Sequence, residues 1–383
     1  MIRRSATKVI PTPDRDPGAP LLEVVDLHTQ FRTPRGLVRA VDGVSFTLGR
    51  GRTIGIVGES GSGKTVLSRS IMGLLQGSNT IRSGHIYYEG VDLIDHNADE
   101  MRHLWGAEMS MVFQDPMTSL NPVVRIGRQI TESLQLHLDM SRDQAKETGI
   151  ALLSSVGIPE PSQRMREYPH QLSGGMRQRV TIAIALACGP KLLMADEPTT
   201  ALDVTVQAQI LNLLADQQAE RHMAMVLVTH DLGVVAGRTD EIAVMYGGKI
   251  VEQAPTADLF SAVRMPYTEA LLGSIPKIAD PSHTRLLAIG GRPPDLVVPP
   301  KGCNFAPRCP YAQPKCLDED PPLVETTPGH LHRCWFPVGS EENLEIRARL
   351  GDAAPPSAAQ PEGLLDDADI TIDTAGWRDT GGM

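Results

Sequence analysis

Aromatic residues make up only 4% of this 383-residue chain, and no stretch approaches the roughly 18 uninterrupted apolar residues of a membrane-spanning helix. The longest candidate, Val180 to Cys188, is halted by Gly189-Pro190. The chain is therefore expected not to cross a bilayer by itself. Its N-terminus carries Arg3, Arg4 and Lys8 with no apolar core behind them, which argues against a secretory signal and for a cytoplasmic protein. Five cysteines are too few for a secreted disulfide scaffold, and four of them lie in one short C-terminal region. Basic residues are also outnumbered, 36 Lys and Arg against 46 Asp and Glu, for a formal net charge of −10. That balance argues against a protein that coats nucleic acid, while leaving room for a local basic patch.

What is present centres on Gly58-Glu59-Ser60-Gly61-Ser62-Gly63-Lys64-Thr65, which follows the apolar run Thr53 to Val57 and precedes an amphipathic segment. Strand, glycine loop and helix in that order give the phosphate-loop motif its meaning. Glycines permit positive φ, successive N–H groups turn inward, and the helix N-terminus adds its positive end, so Gly58, Ser60, Gly61, Ser62 and Gly63 form an anion cradle. Lys64 would reach the β- and γ-phosphates and Thr65 would offer its hydroxyl to Mg²⁺. The ligand expected is ATP or a similar triphosphate.

Three further apolar strands end in polar residues. Leu192 to Ala195 delivers Asp196, a hard oxygen ligand for Mg²⁺, and then Glu197, placed to accept a proton from the attacking water or to orient it. Met109 to Phe113 ends at Gln114, whose amide would reach Mg²⁺ and the water, and Met225 to Thr229 ends at His230, which would hold the γ-phosphate. Phe31, before the turn Thr33-Pro34-Arg35-Gly36, would stack on an adenine ring or pack in the core. A second anion site is expected at Leu172-Ser173-Gly174-Gly175-Met176, where a serine and two glycines cap a helix.

Strands alternating with helices, with polar chemistry at strand ends, indicate a mostly parallel α/β sheet with its site at the carboxyl edge. An N-terminal β-meander is expected over residues 22 to 48 and a helical insert over 115 to 190. Residues 1–20 read as a disordered leader, 271–345 as a small separate domain, and the acidic stretch 346–383 as a disordered tail.

The phosphate loop, Gln114, the Leu-Ser-Gly-Gly signature, the Asp196-Glu197 strand, Ala201-Leu202-Asp203 and His230, in this order, resemble the ATP-binding subunit of an ABC transporter. The resemblance covers residues 21–270 and implies an ABC-type P-loop NTPase fold: a RecA-like parallel core, an N-terminal antiparallel β subdomain and a helical insert. It implies a head-to-tail dimer with a second, related but different ABC ATPase subunit, in which Ser173 and Gly175 contact the γ-phosphate held by the other cassette and Asp203 sits at the junction. It further implies that Asp115 to Pro122 meets one of two transmembrane permease subunits at the cytoplasmic face of the membrane. That segment, Leu202-Asp203-Val204-Thr205-Val206-Gln207 and the cysteine region are similar to the oligopeptide, dipeptide and nickel importers. Peptide is the cargo expected over nickel, delivered by an extracytoplasmic binding protein to the permease. A soluble ABC ATPase acting on nucleic acid or ribosomes is the alternative, although the chain has one cassette, no heptads and no basic arm. A metal-dependent sensor is a third.

Cys303, Cys309, Cys316 and Cys334 are separated by five, six and seventeen residues in a proline-rich stretch. A segment so poor in apolar residues calls for a staple. Four thiolates suit a tetrahedral zinc or a 4Fe-4S cluster. The absence of paired C-x-x-C knuckles, and the similarity to importer ATPases associated with such a cluster, favour 4Fe-4S, with zinc or free thiols as alternatives. Cys188, amid apolar residues, is expected to be a buried core thiol.

Overall fold

The computed structural model describes residues 19–75, 77–200, 202–275 and 289–350. Most of the expected leader, the tail beyond 350 and Ala201 lie outside the described residues.

Two sheets face each other. The first is antiparallel, with order β2-β1-β4-β5: β1 Leu22–Thr33, β2 Gly36–Leu48, β4 Thr80–Tyr88 and β5 Val91–Asp92. The second has eight strands in the order β11-β12-β10-β9-β3-β8-β7-β6. Its parallel centre consists of β3 Thr53–Val57, β6 Met109–Val112, β7 Leu192–Asp196, β8 Ala224–Thr229 and β9 Glu241–Tyr246. β10 Lys249–Pro255, β11 Val324–Thr327 and β12 His330–His332 extend it antiparallel.

The period-two alternation of a strand explains how one sheet serves two cores. Ile54, Ile56, Leu192, Met194, Val226 and Val228 face the antiparallel sheet and, with Leu67 and Ile71 of helix Lys64–Ile71, fill the layer between the sheets. Their neighbours Val57, Leu193, Ala195, Met225 and Leu227 face the other way, into a core shared with the helical insert. That insert consists chiefly of helices Ile126–His137, Arg142–Ser155 and Gly174–Leu186. Ser141 and Ser173 cap the second and third of these by accepting from backbone N–H groups.

The C-terminal region departs from expectation. A separate domain from residue 271 would place its boundary within helix Pro266–Gly273, which is largely buried. The region shares the cassette's core. Phe305, 1% exposed, packs against Tyr246 and Tyr267 with ring centroids 5.3 Å from each, and β12 pairs with β10 through Glu252–His332 and Gln253–Leu331. A segment too poor in apolar residues for its own core is ordered by borrowing one. Helix Glu341–Leu350 likewise runs past residue 346, where the acidic tail was expected to begin. Among the described residues no helix is long and apolar enough to cross a membrane.

Candidate active site

The parallel strands β6, β7, β8 and β3 lie side by side, so their carboxyl ends bring Gln114, Asp196, Glu197, His230 and the phosphate loop to one edge. Gly63 takes φ +105° and Gly61 φ +81°, conformations that favour glycine. A Cβ at Gly63 would stand 2.2 Å from the Ala40 carbonyl oxygen, and one at Gly58 equally close to that of Met245. The loop is thus pressed between β2 and β9. A cavity of about 840 Å³ opens above it, lined by Ser60, Gly61, Gly63, Lys64 and Thr65 with Gln114, Glu197 and His230. From the C-terminal side Leu271, Ser274, Ile289, Pro293 and Leu296 complete the wall.

Lys64 is 4% exposed and its Nζ donates to the carbonyls of Gly58 (2.7 Å) and Glu59 (3.0 Å). Burial lowers its pKa, against the opposing pull of Glu197 and Asp196. Thr65 Oγ1 donates to Asp196 Oδ1 at 3.1 Å. Asp196 is 1% exposed and burial raises its pKa. Among the described residues its Oδ2, like the buried Ser62 Oγ, has no hydrogen-bond partner. A buried carboxylate oxygen without a donor, beside a threonine hydroxyl and an anion cradle, fits Mg²⁺, which binds through one or two protein oxygens plus phosphates.

Glu197 sits at φ +46°, strained for a non-glycine residue. Its Oε2 accepts from Gln114 Nε2 (3.1 Å) and Thr200 Oγ1 (3.0 Å) and lies 3.4 Å from His230 Nδ1, while Lys64 Nζ is 3.7 Å from Oε1. The His230 hydrogen bond is the first cause that takes its pKa down to about 2, and His230 is raised in return.

Phe31, Ser173, Gly174, Gly175 and Asp203 are not brought to this cavity. Phe31 pairs with Val38 and Thr80 within the antiparallel sheet and is half-buried. Ser173 and Asp203 each cap a helix N-terminus and are exposed. Gly175 lies so near Val206 that a Cβ would come within 3.0 Å of Cγ1, which joins signature helix and Asp203 helix into one surface. Helix Pro116–Ser119 meets the same signature helix through Met117 Sδ and Arg177 Nη1.

Three groups at the site escaped sequence reasoning. Thr200 on Glu197 is one; Tyr267, whose hydroxyl accepts from the Glu59 N–H at 2.9 Å, is another. The third is Arg308, whose guanidinium grips Glu59. The position of Arg308 beside Cys309 was the available signal, and nothing local connects it to a loop 249 residues away.

The four C-terminal cysteines are free thiols. Burial raises Cys303, Cys309 (to about 12) and Cys334, and each is raised further by others of the four. The backbone ties Cys303 N–H to the Cys316 carbonyl at 2.8 Å. Among the described residues no group of three or more His, Cys, Asp or Glu is arranged to hold a metal ion. The expected metal at these cysteines therefore has no formed ligand set here. Cys188 is half-buried, with burial raising its pKa.

The sequence profile of ABC transporters matches residues 41–200, and that of the oligopeptide/dipeptide transporter C-terminal region matches 251–316. The dipeptide transport ATP-binding protein DppD of Bacillus subtilis (strain 168) is 48% identical over 334 residues, covering 87% of this chain and 98% of that protein. The oligopeptide transport ATP-binding protein OppD of Salmonella typhimurium is 48% identical over 322 residues, covering 84% and 95%. Among solved structures, the dimeric post-hydrolysis ATP-binding cassette MJ0796 bound to ADP and Pi aligns at TM-score 0.56 with 26% identity, over 61% of this chain and 98% of that one.

Proposed function

The chain belongs to the ATP-binding subunits of ABC transporters of the oligopeptide/dipeptide group, and on that premise we propose how its residues carry the work. It is an ATPase that powers peptide import through membrane permease partners served by a substrate-binding protein, as a peripheral subunit on the cytoplasmic face. The observation that carries the site assignment is the convergence of Lys64, Thr65, Asp196, Glu197, Gln114 and His230 on one cavity edge.

Lys64, now resting on the Gly58 and Glu59 carbonyls, exchanges those acceptors for the β- and γ-phosphate oxygens. Thr65 and Asp196, with Gln114 nearby, would hold Mg²⁺, which when bound would neutralise phosphate charge. Glu197 is the proton acceptor for the attacking water, or orients it. At a pKa of about 2 it is a poor base. Its donors must loosen first, and a γ-phosphate competes for Lys64 and His230. ATP binding itself would thus raise the basicity of Glu197.

Ser173, Gly174 and Asp203, exposed, and the half-buried Gly175 lie away from their own cavity and suit contact with the nucleotide of a second, related ATPase subunit. Met117 and Val123 are exposed apolar residues near Asp115 and suit a permease contact, with Arg177 relaying between that surface and the signature helix. Phe31 as an adenine platform would require the loop region to close on the base.

For the cysteines a 4Fe-4S cluster remains the favoured ligand over zinc. What supports this reading is that four thiols lie in one short segment, three of them raised by burial and by others of the four, and four cysteine thiolates are the ordinary ligands of such a cluster. Anaerobic purification followed by absorption spectroscopy and metal analysis tests this. Broad brown absorption with stoichiometric iron is expected, and a colourless protein carrying zinc would refute it. The functional reading is tested by affinity purification from solubilised membranes. Two hydrophobic permease subunits should co-purify, whereas recovery of ribosomes or DNA in their place would contradict transport.

A further inference from the structure

The guanidinium of Arg308 is 3% exposed in its side chain and has an acceptor for every N–H. Nε donates to the Gly290 carbonyl (2.8 Å). Nη1 donates to Glu59 Oε2 (2.6 Å) and Tyr246 Oη (3.2 Å), and Nη2 to Glu59 Oε1 (2.9 Å) and the Ile289 carbonyl (3.1 Å). Five donors in a rigid planar fork, all satisfied, define one geometry that a lysine could not reproduce.

Glu59 is the second residue of the phosphate loop, and each of its polar groups is engaged. Its carboxylate is held by Arg308, its N–H by Tyr267 Oη, and its carbonyl accepts from Lys64 Nζ and from the Ser62 N–H. The path from Arg308 to Lys64 therefore passes through a single residue. Ile289, whose carbonyl Arg308 also holds, lines the same cavity. Gly291 allows the close approach: at φ +79°, a Cβ there would stand 3.2 Å from Arg308 Cγ.

An ion pair between a buried arginine and a half-buried carboxylate is weak evidence for stability, since apolar residues of similar volume often serve as well. The arrangement is better explained by what it positions. We propose that Arg308 is a positioning residue for the phosphate loop, through which the C-terminal region sets the cavity's affinity for ATP. The inference rests on the reading that ATP occupies this cavity.

The test is ATP binding by the full-length chain, measured by calorimetry with Mg²⁺ present, together with thermal unfolding without nucleotide and hydrogen exchange in residues 58–65. Arg308→Met is expected to weaken ATP binding by about tenfold or more and to speed exchange in the loop but not in β7. Should Arg308→Met alone fail to fold, the Glu59→Gln/Arg308→Met pair, which leaves no unpaired buried charge, carries the test with the same expectation. Non-additive losses in ATP affinity between positions 59 and 308, at nearly unchanged unfolding temperature, distinguish positioning from general support of the fold. Wild-type affinity and wild-type loop exchange in folded variants would overturn the inference while leaving the ATP site intact. Absence of ATP binding in the unaltered chain, or its persistence in Lys64→Ala, would instead overturn the ATP-site reading and this inference with it.

Discussion

Glu197 keeps company with Gln114, Thr200, His230 and Lys64, and of these His230 first, then Thr200 and Lys64, hold its pKa low. If it is the proton acceptor, Glu197→Gln should leave ATP binding intact and lower turnover by at least ~10², as measured by phosphate release. Unchanged turnover would remove it from that role. His230 offers a pH test. Its pKa is raised, first by the hydrogen bond to Glu197, so the pairing is fully present below the unfolded value of about 6.5. It is lost as pH rises through the folded value. Histidine resonances followed by NMR should show His230 titrating above an ordinary histidine in the nucleotide-free chain, and falling in Glu197→Gln; no fall would mean that Glu197 is not the cause. The residues at strand tips were legible because an apolar run ending in a polar group is a local pattern. Arg308 was not, because its partner Glu59 lies 249 residues away and only the folded chain brings them together; Thr200, three residues past Glu197, was missed because its hydroxyl reaches that carboxylate through a turn with no periodic signature.

At the scale of elements, the phosphate loop is shaped from outside as much as by its own glycines. Gly63 combines φ +105° with an Ala40 carbonyl 2.2 Å from where a Cβ would lie. Gly63→Ala therefore meets about 1–3 kcal/mol of backbone strain as well as a clash with β2. It should abolish measurable ATP binding while the helix Lys64–Ile71 persists by circular dichroism; tight binding would show that the loop is more plastic than its packing implies. Strands β3, β7 and β8 were legible from their apolar runs, and the helices of the insert from their three-and-four spacing. The pairing of β12 with β10 was not, because His330–His332 is three residues long and lies among prolines, turns and charges where no period can develop.

For the whole molecule, the important result is that the C-terminal region and the cassette share a core. Phe305 packs against the touching pair Tyr246 and Tyr267, so Phe305→Ala should cost about 3–5 kcal/mol. Because both parts depend on that contact, urea unfolding followed by tyrosine fluorescence and by far-ultraviolet circular dichroism should show coincident transitions, shifted together. Two separated transitions would restore an independent domain. The sequence suggested a boundary here because composition changes near residue 276, but a change in composition marks where a chain stops building its own core, not where it stops joining another. The same shared core brings Arg308 to the phosphate loop and the 289–296 wall to the ATP cavity. The central claim remains that hydrolysis at this site drives peptide across a membrane. It is tested most directly by peptide uptake into vesicles reconstituted with this chain, its ATPase partner, the permease subunits and the binding protein. Uptake should require ATP and fall to background with Glu197→Gln in this chain, whereas uptake undiminished by that substitution, or independent of ATP, would contradict the account.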